Sequence, residues 1–550
     1  MMSHPRFISP RYGGARWLQR PGSAVAFLAV LLFTDTGAGH AQMQIGDTSL
    51  PPVSDPRYAT EIVARVGPIE ISAQQFLLSY EFGPAFAKRE KHSRHTYLEY
   101  MINEKLLALD AADRGAKSSA QVRRSVGEIE GDLVTEELYR DDILSKVSVT
   151  GGELTKALRE QRTHYSLRWL HAPTREEIDS LRDALAGGVT FDRLFRAQPG
   201  DSAGPGLRSM DITLFQLRNE RPAIAAAVQS LNPGAISAPV EGPDGWYIMN
   251  VGSVTFDAIA TSSNVLQMRY DAQRAITRRK ADSLSVDYVN QLMSGHSPVI
   301  EPKTFALLST YLAQIWVPAD RRESWNVGRS LDRELQLAAV KDIDRFGDET
   351  LVHMKDRSVR LARFLSWYRA RDQIVKLRTT SLLSFESSLE GLVWRMVRDG
   401  LLIERATQRG MQHRATVKTQ RGWWEEKVLY AAEKKALGDS ITLDESRLKK
   451  YYEDHPRDYR NSAGDLLPLE SVRDRVRKDC WSAELTARIL HRLIALKRRY
   501  PVSIDEKVLA GLPVDSREDA RAIDVYTAKT GGTFPHPAFP TIDYDWEGWQ

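Results

Sequence analysis

Among the side chains within residues 165–253 that could hold or move a proton are His171, Asp201 and Tyr247. An imidazole titrates near neutrality, so His171 can donate or accept. Asp201 sits in Gly200-Asp201-Ser202-Ala203, and Tyr247 lies in Gly245-Trp246-Tyr247-Ile248-Met249. Trp169 stands two residues before His171, on the same face of any strand that carries both. No metal chemistry competes with this set: the chain has no His-Glu-x-x-His and no cysteine pair. His92 and His95 lie close together in a charged stretch, have no third ligand nearby, and read as solvated. No cofactor is expected.

These side chains need elements to position them. Tyr165 to Leu170 reads as a strand with Leu167 and Trp169 on one face. Thr174 caps a helix through Ile178, Leu181 and Leu185 that Gly187-Gly188 ends. Phe191, Leu194 and Phe195 mark a second helix, residues 199–209 a loop, and Ile212 with Leu214 a short strand. A helix from Ala223 to Leu231 stops at Pro233-Gly234, and the turn Pro243-Asp244-Gly245 opens a last strand. The sum is a short α/β domain with an antiparallel sheet.

The phrase Leu231-Asn232-Pro233-Gly234-Ala235-Ile236-Ser237, followed by the Gly245–Met249 strand, resembles the parvulin family of peptidyl-prolyl isomerases. The resemblance spans residues 165–253. It implies a proline pocket above a polar floor of two histidines and an Asp or Cys. Alignment with the family puts Trp169 and Tyr247 where the histidines usually stand, so the catalytic histidines are expected to be lost. His171 is expected to substitute in part, Asp201 matches the acidic position, and pocket positions fall near Glu220 and Ile224. The implied catalytic set is therefore Asp201, His171 and Tyr247, and the implied peptide contacts are Trp169, Ile224 and Trp246. The surroundings are similar to SurA-, PpiD- and PrsA-type secreted foldases.

The rest of the chain reads as mainly helical. Residues 1–41 combine Arg6, Arg11, Arg16 and Arg20 with the apolar run Ala24–Phe33 and small residues at 39–41, which predicts a signal peptide. Residues 42–57 are a flexible leader. Residues 58–164 and 254–302 form a helical cradle around the inserted domain, residues 303–347 a helical connector, and residues 348–505 a second cradle without an insert. The two cradles read as a duplication: Met396, Leu401, Leu402, Ala406 and Gly410 match Met101, Leu106, Leu107, Ala111 and Gly115 at a constant offset. Residues 506–550 read as a Pro/aromatic-rich tail, and residues 530–550 lack helical or strand periodicity. Their end, with Phe534, Phe539, Tyr544, Trp546 and Trp549 among Asp543, Asp545 and Glu547, is expected to be an extended tail.

The formal net charge of +4 falls to +1 without residues 1–41, and basic residues are interspersed with acids, which argues against a nucleic-acid footprint. The single cysteine, Cys480, cannot close an internal disulfide, so the fold must rest on apolar cores. A periplasmic or secreted protein is expected, with membrane attachment only through an uncleaved signal. The resemblance implies a chaperone that holds unfolded or nascent envelope or secreted polypeptides. A drifted but working prolyl isomerase and a dedicated export-assembly partner are the alternatives.

Overall fold

The computed structural model describes residues 55–89, 92–198, 208–242, 244–258, 262–371, 375–514 and 538–548. The signal peptide, most of the leader, Asp201 and residues 515–537 of the tail lie outside the described residues. The molecule is mainly helical with an inserted α/β domain. Among the described residues, no helix is long and apolar enough to cross a membrane.

In chain order, α1 (Arg57–Thr60) precedes the hairpin β1 (Ile62–Val66) and β2 (Ile69–Ser72), then α2 (Ala73–Phe82), α3 (Ala85–Arg89), α4 (Ser93–Asp113) and α5 (Ala120–Asp142). Next come α6 (Gly151–Gln161), β3 (Thr163–Ala172), α7 (Arg175–Ala186), α8 (Phe191–Ala197), β4 (Ser209–Thr213), α9 (Leu214–Glu220), α10 (Pro222–Val228), β5 (Val240–Gly242), β6 (Gly245–Phe256) and α11 (Ser262–His296). The second half holds β7 (Val299–Ile300), α12 (Pro302–Trp316), α13 (Ala319–Trp325), α14 (Arg333–Lys341), β8 (Thr350–His353), β9 (Ser358–Arg360), α15 (Leu361–Arg369) and α16 (Leu382–Gln408). It ends with α17 (Ala415–Asp439), α18 (Glu445–Asp454), α19 (Leu469–Arg499), β10 (Val502–Ile504) and α20 (Glu506–Gly511).

Local signals explain many of these limits. Ser72 accepts from the Gln75 amide at 3.1 Å and starts α2, and Thr150 with Glu153 forms a capping box at α6. Gly115 (φ 80°) and Gly410 (φ 73°) end α4 and α16 in the left-handed region, and each is followed by one 3-10 turn and a further long helix.

Arg140–Gln291 form one compact unit, and the described residues up to Tyr139 and from Leu292 form the other. The insert is thus wider than the sequence boundaries 165–253. Helices α6 and α11, assigned by sequence to the first cradle, pack together with the inserted domain. Ala157, Ala272 and Ile276 close on Phe215, and Arg218 pairs with the nearly buried Glu160 at 3.0 Å.

In the larger unit, strand pairing crosses between the halves of the chain. β10 pairs antiparallel with β1, Ala64 opposite Ile504 and Val66 opposite Val502, and β1 pairs with β2. Reciprocally, β7 pairs with β8, Ile300 opposite Val352, and β8 with β9. Each hairpin is closed by the strand that ends the other half. The helices follow the same crossing. A carbon added at Gly131 of α5 would meet Ile403 of α16 at 2.8 Å, and Lys427 of α17 reaches Glu104 of α4 at 2.8 Å. The connector belongs here too: Trp316 of α12 donates to the Tyr368 hydroxyl of α15 at 2.7 Å. Its aromatic centre is Phe76, Tyr80 and Tyr97, all fully buried, with the Tyr80 and Tyr97 rings 5.1 Å apart.

The start of the tail, Glu506–Gly511, is helical. Within residues 530–550 the expected extended, aperiodic end is departed from: Tyr544–Gly548 makes a 3-10 turn and Trp546 is buried. Periodicity cannot reveal such a segment, because its order comes from side chains on other elements.

Gly67 tests the crossing. It turns β1 into β2 at φ 54°, its amide donates to the Pro501 carbonyl at 2.9 Å, and an added carbon would lie 2.9 Å from Tyr500 Cδ1. Gly67→Ala should cost about 1–2 kcal/mol for left-handed strain plus the displaced Tyr500. Gly115→Ala, with open space around it, should cost only the strain. Urea unfolding of both variants checks this; equal losses would mean that Tyr500 yields freely.

Candidate functional site

The inserted unit is built on a four-stranded sheet in the order β4-β3-β6-β5. Its two faces are covered by different helices. Tyr165, Leu167, Tyr247, Met249 and Val251 face α9 and α10, where Leu217, Ile224 and Val228 complete a core. Leu170, Ala172 and Ile248 face Ile178 of α7 and Phe191 and Phe195 of α8. Alternation along β3 and β6 imposes this division.

The Pro-Gly-x-x-Ser phrase has a physical role. Gly234 at φ 87° turns the chain back along β6, where its amide donates to the Val251 carbonyl at 2.6 Å. The Ser237 hydroxyl accepts from the Met249 amide at 2.9 Å, and Asn250 reaches the Gly234 carbonyl at 3.4 Å. The phrase thus extends the sheet past β5 and fixes β6 in register.

That register sets His171 directly opposite Tyr247 and Trp169 opposite Met249. The His171 and Tyr247 rings are 5.0 Å apart at 55°. Tyr247 donates its hydroxyl to Asp244, and His171 Nε2 lies 3.1 Å from the Asp244 carbonyl. The Arg221 guanidinium stands 6.0 Å from the Tyr247 ring centre. Burial pushes the Tyr247 hydroxyl above the ordinary tyrosine range, and the bond to Asp244 adds to this. That same bond holds the Asp244 carboxyl below the ordinary carboxylate range. Past the end of β4, the Gln198 side chain takes the place of a strand partner: its Nε2 donates to the His171 carbonyl at 2.7 Å, and its Oε1 accepts from the His171 amide at 3.2 Å. Arg208 holds Gln198 Oε1 in turn at 2.9 Å.

The structure therefore brings His171 and Tyr247 together. It sets Trp169 and Ile224 in the core on that face, Trp169 partly and Ile224 fully buried. Trp246 is elsewhere: it packs with the opposite core, and its ring carries the Arg175 guanidinium at 4.4 Å. One concave contact surface cannot include both tryptophans, because strand alternation sends neighbours 246 and 247 to opposite faces. Leu214, expected in a strand, begins α9 because Thr213 caps it with Gln216. Sequence reasoning missed Asp244, Arg221 and Gln198. Of these, only Asp244 had a signal, its place in the turn three residues before Tyr247. The cluster can hold a carbonyl through the Arg221 donors and an amide N–H at His171 Nδ1, while His171 Nε2 and the Tyr247 hydroxyl are already committed to Asp244.

Comparison with known proteins defines the class of this unit. Residues 153–265 match the family model of the PPIC-type PPIASE domain, a range that takes in α6 and the start of α11, in line with the compact unit. The chain is also similar to chaperone SurA of Thiobacillus denitrificans, 28% identical over 121 residues, 22% of this chain and 26% of the relative. Chaperone SurA of Bordetella parapertussis is 30% identical over 121 residues, 22% of each chain. The chain thus spans about a quarter of the length of the curated relatives it matches. Among solved structures, peptidylprolyl isomerase PrsA of Bacillus anthracis is 15% identical over 35% of this chain and 96% of its own, with a TM-score of 0.21. The family match thus identifies a PPIC-type domain within residues 153–265 of this chain.

The Tyr247–Asp244 bond has a pH signature. Asp244 is held low, so its stabilisation is complete above the unfolded value of about 3.9 and is lost as pH falls through the lower folded value. Tyr247→Phe should cost about 0.5–1 kcal/mol at neutral pH, the modest value a solvent-exposed carboxylate allows, and less near pH 2. Urea unfolding at the two pH values measures the difference; an equal loss at both would exclude this bond as its source.

Proposed function

We propose that this protein is an extracytoplasmic chaperone of the SurA/PrsA type that binds unfolded or nascent envelope or secreted polypeptides. In this reading its parvulin domain is kept for binding rather than for efficient isomerisation. The observation that carries the reading is the His171–Tyr247 pair. Where the parvulin resemblance implies two histidines, Trp169 is part of a core and Tyr247 spends its hydroxyl on Asp244. Isomerisation needs a twisted amide stabilised against a barrier of about 18–20 kcal/mol, and a committed tyrosine contributes little to that. Binding asks less: apolar surfaces and polar edges that accept many sequences. The signal-like residues 1–41 support an extracytoplasmic location. The larger unit then serves as the second binding body, and we read its two halves as copies of one cradle that have exchanged their closing strands.

The alternative is a rearranged but working isomerase that uses His171 and Asp201. The two readings separate in one experiment on residues 42–550. The protein should suppress aggregation of a chemically unfolded envelope protein while leaving isomerisation of an Ala-Pro peptide at its uncatalysed tens of seconds. Acceleration that disappears in His171→Ala or Asp201→Ala would instead establish the isomerase.

A further inference from the structure

Three arginines of the larger unit stand around a single buried aspartate. On α16, Arg395, Arg398 and Asp399 are spaced three and four residues apart and share a face. Asp399, 1% exposed, has both oxygens engaged. Arg398 donates to its Oδ1 from Nε at 3.0 Å and from Nη2 at 2.6 Å, and Trp367 of α15 donates Nε1 to its Oδ2 at 3.3 Å. Arg371, 3% exposed, lies just past α15. It donates to Glu128 of α5 at 2.9 Å and to the Trp367 carbonyl at 3.2 Å, with its guanidinium 4.8 Å from the Trp367 ring centre.

Arg395 has no such counter-charge. Its Nε is sealed from solvent without a hydrogen-bond partner, and its guanidinium makes no hydrogen bond or ion pair among the described residues. Burial pushes this guanidinium below the ordinary arginine range; Asp399 opposes the shift, and the like charges of Arg398 and Arg371 add to it. Glu128 answers Arg371 and Asp399 answers Arg398, so one positive charge of the three is left over. Such a half-buried cation has lost hydration and gained nothing in exchange. There is room beside it for a compensating group. Helical side chains lean toward the preceding turn, and the residue one turn before Arg395 is Gly391, where an added carbon would meet nothing within 4 Å.

We propose that Arg395, backed by Arg398 and Arg371 and with the open surface at Gly391 as its entrance, is a binding site for a phosphate group. A guanidinium fork matches the oxygens of phosphate or carboxylate and stays charged at any physiological pH. Phosphate is the better fit here. Two further guanidiniums add to the positive field at the site, and a group with nearly two negative charges gains more from that field than a carboxylate with one. The phosphate belongs either to a small solute or to a lipid headgroup. The proposal stands apart from the chaperone reading, because it concerns neither the inserted unit nor the binding of a polypeptide.

The probe is inorganic phosphate, titrated by calorimetry into the full-length chain above neutral pH in a phosphate-free buffer of fixed ionic strength. The wild type should bind it saturably, and acetate at least about tenfold more weakly. Arg395→Met keeps the length of the side chain and removes its charge. It should weaken phosphate binding at least about tenfold, yet unfold in urea no earlier than the wild type when phosphate is absent, since the charge it removes has no partner. Should circular dichroism show Arg395→Met unfolded, Gly391→Leu decides instead: it fills the entrance, replaces a helical glycine by a good helix former, and should weaken phosphate binding by a similar factor. Co-sedimentation with phosphatidylcholine vesicles containing phosphatidic acid, lost in the variant, places the phosphate on a lipid. Binding of free phosphate alone places it on a solute. No binding of either, equal binding by wild type and folded variant, or acetate bound as tightly as phosphate overturns the proposal.

Discussion

The pairing of β10 with β1 is the constraint on which the larger unit depends. A hairpin of two short strands is marginal in water and needs a third strand or a packed helix to persist. Here the third strand comes from the far end of the chain, and the other hairpin takes its third strand, β7, from the end of the first half. Neither half of this unit can complete its sheet alone. The helices that follow each hairpin are thereby brought against those of the opposite half. One consequence is a set of ion pairs across the α4–α17 contact, including Lys427–Glu104 and the half-buried pair of Lys105 with Glu426. Such pairs cost desolvation and return it only with good geometry, so they serve orientation more than net stability. Arg492 of α19 does the same for α4, reaching the buried Asp110 at 2.5 and 2.6 Å.

The inserted unit obeys a different logic. Its sheet is antiparallel and continuous, and its two faces are covered by two helix pairs from neighbouring sequence. Its contacts are local, and the polar cluster at one end follows from the register of β3 on β6. The turn before β6 supplies Asp244, the junction of α9 and α10 supplies Arg221, and the strands supply His171 and Tyr247. Within this cluster the Tyr247 hydroxyl is committed to Asp244.

The two units thus present two kinds of surface. The inserted unit offers a rigid sheet with a polar end. The larger unit offers a groove whose walls, rings and lysines, are supplied by helices from both halves. The groove exists only because the halves cross: Glu104, Phe82 and Tyr100 belong to one half and Lys427, Lys434 and Trp423 to the other. Residues 538–548 cover it, with Trp546 stacked on Tyr100 and Phe539 on Phe82.

The sequence by itself determined the helical majority, the position of the insert and most element limits. Those depend on periodicity, caps and glycines, which act over a few residues: Ser72, Thr150, Thr174, Gly115 and Gly410 each did what their type dictates. It also singled out His171 and Tyr247, though only through the resemblance of the surrounding motif to the parvulin family. What only the tertiary structure decided was partnership. Val502–Ile504 carries no mark of which hairpin it will close, Trp246 and Tyr247 differ by one position yet serve opposite cores, and Trp546 is buried although nothing around it repeats. Each of these is settled by surfaces hundreds of residues away or by the register of a sheet. A one-dimensional pattern does not encode which surface meets which, because that choice is made by the burial and pairing of groups contributed by both partners.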